Sequence, residues 1–83
     1  MAQASITLNG RIYRLNCGAG EEERLRQLSE IVSAKLEGLV AEFGQVGDDR
    51  LLLMSALLIA DDMLEANNRL AVLEASLANV RKN

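Results

Sequence analysis

The sequence predicts an α+β fold, mostly helical: an N-terminal β-hairpin, one amphipathic helix, then a long C-terminal coiled-coil helix, the whole being oligomeric. Three observations lead there. An Asn-Gly pair sits between alternating apolar residues near the N-terminus; residues 21–43 repeat apolar positions at steps of three and four; and Arg50 to about Arg81 contains no glycine or proline and follows a heptad.

The hairpin is expected over residues 4–16. Asn9-Gly10 supplies the two positive-φ residues of a type I′ turn between Ser5–Leu8 and Arg11–Asn16. A two-residue loop pairs Leu8 with Arg11 and Ile6 with Tyr13, which puts Ala4, Ile6, Leu8, Tyr13, Leu15 and Cys17 on one face. That face needs a cover, because an isolated two-stranded hairpin is marginal in water. The opposite face, Ser5, Thr7, Ile12, Arg14 and Asn16, suits solvent apart from Ile12.

Gly18-Ala19-Gly20 breaks the strand, and Glu21-Glu22-Glu23 places carboxylates where a helix N-terminus favours negative charge. The first helix is therefore expected over 21–43, burying Leu25, Leu28, Val32, Leu36, Leu39 and Phe43. Gly44-Gln45-Val46-Gly47 ends it, and Asp48 or Asp49 is placed to cap the next helix.

The long helix, from 48 onward and roughly 45 Å over its glycine-free run, carries two apolar stripes. Leu52, Ala56, Ile59, Met63, Ala66, Leu70, Leu73, Leu77 and Val80 alternate steps of four and three, the a and d positions of a coiled coil with Ala56 at a. Leu53, Leu57, Ala60 and Leu64 form the second stripe, which ends at Asn67 and Glu74. Two faces are thus expected to be covered at first and one later: a head over 1–64 and a coiled-coil stalk over 65–83. In a parallel pair Arg69 faces Glu74 of the other chain, and Ala71, Val72, Ala75 and Ala78 offer a shallow strip on which a second pair can dock.

Size explains why self-association is expected. A chain of 83 residues buries only roughly 60% of the surface its unfolded form exposes. One cysteine rules out an internal disulfide, and with no histidine a lone thiol cannot assemble a zinc site of the usual four-ligand kind. Oligomerisation, as a dimer and possibly a tetramer, is the remaining support.

The same counts speak against catalysis. Without histidine the commonest acid/base and nucleophile-activating group is missing, and aromatics are only 2% of the chain. No glycine-rich phosphate loop with a lysine is present. No cofactor, metal or small-molecule substrate is expected. With net charge −3 and scattered basic residues, nucleic acid is a poor partner. The longest apolar stretch, Leu51 to Ala60, is short of the ~20 residues a bilayer span requires, and Met1–Ala4 has no signal-peptide character. The expected location is the cytoplasm.

Adjacent carboxylates such as Asp61-Asp62 point ~100° apart on a helix and read as solvation and dipole compensation. Cys17 reads as a small hydrophobe of the hairpin face. Arg11, Arg14, Asp48, Asp49 and Arg50, charged residues of the hairpin and of the long helix start, are the candidate partner-binding face.

These segments, T-L-N-G-R-I-Y-R-L-N-C, then G-E-E-E-R-L-R-Q-L, then D-D-R-L-L-L-M-S-A-L-L-I-A-D-D-M-L-E, resemble the bacterial cell-division ZapA family over nearly the whole chain. Gly10-Arg11, the closing Cys17, the Glu-Glu-x-x-Leu helix start and Ala56-Leu57-x-Ile59-Ala60-Asp61 carry most of the likeness. The resemblance implies a non-enzymatic protein that binds the tubulin-like FtsZ and cross-links or bundles its filaments at the midcell division ring. It also implies an FtsZ-binding role for the charged head surface, here Arg11 and Asp49 with its neighbours. The chain departs from the family in having Leu58 where members often have Asn, and in a short coiled coil that favours the dimer over the tetramer. The alternative reading is a generic cytosolic coiled-coil adaptor or small chaperone, which would not require the Asn-Gly-Arg hairpin tip.

Overall fold

The computed structural model describes residues 2–82. Strands Ala2–Leu8 (β1) and Arg11–Cys17 (β2) form an antiparallel hairpin, followed by helices Glu22–Phe43 (α1) and Asp48–Lys82 (α2). The predicted register holds: Leu8 pairs with Arg11, Ile6 with Tyr13 and Ala4 with Leu15. Both strands run past the expected 4–16, adding the pair Ala2 and Cys17.

The turn has the left-handed geometry that Asn-Gly was expected to supply, with φ of 51° at Asn9 and 80° at Gly10. Helix α1 begins one residue after Glu21, which acts as its N-cap without a side-chain bond. Glu22 instead reaches back to accept from the Gly20 N–H at 3.3 Å. At the other end Gly44, φ 79°, donates its N–H to Val40 O at 2.8 Å, a left-handed closure that a side chain would resist.

The core lies where hairpin and helices meet. Leu8, Leu36, Leu39 and Leu51 are buried, with Ile6, Tyr13, Val32, Val40, Leu52 and Met54 packed around them. Of the face predicted for α1, Leu36 and Leu39 are buried and Leu25 and Val32 half-buried, but Leu28 and Phe43 are exposed. The hairpin and α2 cover the middle of α1, not its ends. The solvent face of the hairpin is as expected: Ser5, Thr7, Ile12, Arg14 and Asn16 are all exposed.

Helix α2 turns a different face to its own chain from the one expected. Leu51 and Ser55, at 0% and 1% exposure, are the buried pair, whereas Leu53 and Leu57 of the predicted second stripe are 61% and 62% exposed. Ser55 is tolerated there because its hydroxyl donates to Leu51 O at 2.8 Å. Two turns further Asp62 forms a 2.7 Å ion pair with Lys35 of α1, a tertiary role that solvation alone did not anticipate. From Ala60 to Arg81 every residue of α2 is exposed.

Candidate partner-binding surface at the hairpin tip

The tip of the hairpin is fastened to the start of α2 by side chains from three segments. Asn9 Nδ2 donates to Gln45 Oε1 at 2.9 Å and to Asp48 Oδ1 at 3.0 Å, while Gln45 Nε2 returns a bond to Asn9 Oδ1 at 3.2 Å. Arg11 Nε approaches Asp48 Oδ2 at 2.6 Å. Register explains the last contact. Opposite Leu8, Arg11 lies on the covered face of the hairpin and leans toward the helices.

Asp48 therefore does not cap α2 as expected. Its two oxygens serve Asn9 and Arg11, and the helix opens on a backbone bond from the Leu51 N–H to Gly47 O at 3.0 Å. The Arg11 side chain remains 71% exposed, so it keeps guanidinium N–H groups at the surface for a further acceptor. Asp49 and Arg50, the next residues of α2, are exposed beside this tie.

Of the five candidates, the structure thus brings Arg11, Asp48, Asp49 and Arg50 to one corner. Arg14 is elsewhere: paired with Ser5, it projects from the opposite face of the hairpin. Asn9 and Gln45 belong to the corner and were not among the candidates. The Asn-Gly turn pointed to Asn9 for its backbone; nothing local points to its side chain's partner 36 residues away.

The seam residues are distributed along one flank of α2. Leu52 and Ile59 are half-buried, while Ala56, Met63, Ala66, Leu70, Leu73, Leu77 and Val80 are exposed. Val32 of α1 joins Leu52, Ala56, Ile59, Ala60 and Met63 around an open cleft of about 400 Å³.

Near the other end of the hairpin, Cys17 has its thiol pKa pushed up, first by desolvation and then by the carboxylates of Glu22 and Glu21. It is held in the thiol form, the reverse of an activated nucleophile. On α1, Arg26 bridges Glu23 and Glu30, and its hydrogen bonds hold the Glu23 carboxyl below the usual range.

The family model described as "Cell division protein ZapA" matches residues 4–83, spanning hairpin, tip and both helices. The chain belongs to the ZapA family. ZapA proteins are non-enzymatic, and membership makes this a cell-division protein of a family associated with FtsZ and the Z-ring. A solved structure titled "Unknown conserved bacterial protein from Pseudomonas aeruginosa PAO1" has the same fold. It aligns with a TM-score of 0.86 at 24% identity, over 99% of this chain and 91% of that one. No curated protein matches the chain. Among the described residues no helix is long and apolar enough to cross a membrane.

Proposed function

We propose that this ZapA-family chain cross-links or bundles FtsZ filaments at the midcell division ring, in the cytoplasm, as a dimer or tetramer. The observation that carries the reading is the bare C-terminal length of α2. Leu70, Leu73, Leu77 and Val80 keep the a/d spacing yet are all exposed in the single chain, with no further segment of the described residues against them. A second copy is the economical cover. The small core supports the same conclusion, since among the described residues only four apolar side chains are buried.

In this reading residues 1–64 form a head and 65–83 a stalk. FtsZ binds the corner of Arg11, Asp49 and Arg50, with Asp48 holding Arg11 in place. Two heads on one stalk make the second filament contact effectively intramolecular, so weak single contacts add up to a cross-bridge.

Co-sedimentation with FtsZ polymerised by GTP, with light scattering recorded alongside, tests this. Pelleting with polymer and a rise in scattering are expected. Protein that stays in the supernatant would remove FtsZ as the partner, leaving a coiled-coil adaptor for another client.

A further inference from the structure

The two edges of the hairpin are defended differently. β2 carries Arg11 and Arg14 along its length, whereas β1, Ala-Gln-Ala-Ser-Ile-Thr-Leu, has no charge and no proline in its seven residues. Exposed edge strands are ordinarily blunted by charges, prolines or bulges, because their free N–H and C=O groups template further pairing. Among the described residues β1 has β2 as its single neighbour. With a two-residue turn the flanking pair Leu8 and Arg11 is hydrogen-bonded, and bonding then alternates. The backbone groups of Gln3, Ser5 and Thr7 therefore face outward, along the free edge.

That edge lies at the mouth of a groove. Thr7, Asn9 and Gly10 on the hairpin and Leu36, Glu37, Val40 and Ala41 on α1 line about 520 Å³ of open space. Helix α1 packs against β1 and so forms a wall beside the free edge. The wall has a defined chemistry: Val40 and Ala41 are apolar, and one turn away Glu37 is exposed and has no ion-pair partner among the described residues.

We propose that β1 and α1 receive an extended peptide from a partner protein, added as a third strand to β1. The peptide presents an apolar side chain toward Val40 and, two residues along, a lysine or arginine toward Glu37. The spacing fits. Residues three apart on a helix are separated by ~5–6 Å, and alternate residues of a strand by ~6.8 Å on one face. Ladder bonds supply the affinity and the alternate pockets the selection, the usual division of labour in strand addition. A second copy's β1 fits less well: it carries no basic residue for Glu37. The inference goes beyond FtsZ cross-linking and does not depend on it.

A random octapeptide library displayed against the full chain tests the proposal. Enriched sequences are expected to alternate apolar residues with a lysine or arginine on the same strand face. By fluorescence polarisation, Glu37→Lys should weaken the best such peptide at least about tenfold, the cost of meeting a like charge. Ser5→Pro should abolish binding while leaving the hairpin paired, because the N–H it removes points away from β2. Circular dichroism checks the fold; should Ser5→Pro unfold the chain, Ala41→Trp, which fills the groove from α1, takes its place with the same expected loss. No enrichment, enrichment without a basic residue, or binding indifferent to Glu37→Lys and to the groove-blocking variant would each overturn it. So would a fall in sedimented mass in Ser5→Pro, which would assign the edge to a second copy.

Discussion

Asn9 and Gln45 exchange side-chain hydrogen bonds in both directions, at 2.9 and 3.2 Å, across 36 residues of sequence. The amide of a turn residue thereby ties the hairpin to the loop between the helices, and Asp48 accepts a third bond from the same Asn9 nitrogen. The orientation of the hairpin tip rests on a residue whose backbone is also committed, with φ of 51°.

These two roles of Asn9 separate by mutation. Asn9→Gly keeps the positive φ and loses the amide, so it should lower the unfolding free energy by about 1 kcal/mol. Asn9→Ala loses the amide and adds left-handed strain, costing on the order of 1 kcal/mol more. Denaturant midpoints at constant slope measure both; equal losses would show that the turn geometry carries no strain.

Arg11→Glu sets a carboxylate against Asp48 at the corner where FtsZ is proposed to bind. Pelleting with FtsZ should weaken while the sedimented mass is unchanged. Because the Arg11 side of the wild-type pair is largely solvent-exposed, the stability change should stay within about 1 kcal/mol. The double reversal Arg11→Glu with Asp48→Arg should recover the ion pair's share of that stability, though not the bond Asp48 accepts from Asn9, and should not recover pelleting. Recovery of both would make the pair structural only.

Replacing Leu70 and Leu73 with glutamate should shift the protein toward monomer in sedimentation equilibrium, because both a/d positions then bury charge at the seam. The same change at Leu28, exposed on α1 and outside the seam, should leave the mass alone. An unchanged mass in the first variant sinks the seam.

Leu51→Ala removes the most buried side chain of α2 and should cost about 2–5 kcal/mol, the range for a core leucine. Thermal unfolding followed by circular dichroism reads it. A loss under about 1 kcal/mol would mean that the interface between α1 and α2 tolerates collapse.

Cys17 should alkylate slowly at neutral pH, with the rate climbing to higher pH than for an exposed cysteine. The sign follows from its raised pKa: burial and the charges of Glu22 and Glu21 disfavour the thiolate, which is the reacting species. Glu22→Gln removes one of those charges and should bring the rate profile to lower pH. A profile that does not move would leave desolvation as the cause.

The hairpin, its register and the four element boundaries could be read from the chain alone to within about two residues, because each rests on a local signal: Asn9-Gly10, the glycines at 18, 20, 44 and 47, and the carboxylates of Glu21 to Glu23. The family was legible for the same reason, in contiguous segments that keep their order. Tertiary structure decided the rest. Between Leu51 and Ala60 only Ser55 is polar, so periodicity had no polar face with which to exclude one side of α2. Packing then chose Leu51 and Ser55 over Leu53 and Leu57, placing the sole hydroxyl inside, where the preceding turn satisfies it. Asp48 was legible as a helix-start residue, but its use as a tie depends on where the hairpin tip arrives. That position is set by Leu8, Leu36, Leu39 and Leu51 meeting across three elements. Local propensity reports what a segment becomes; which of its faces is covered depends on the shape of what it meets.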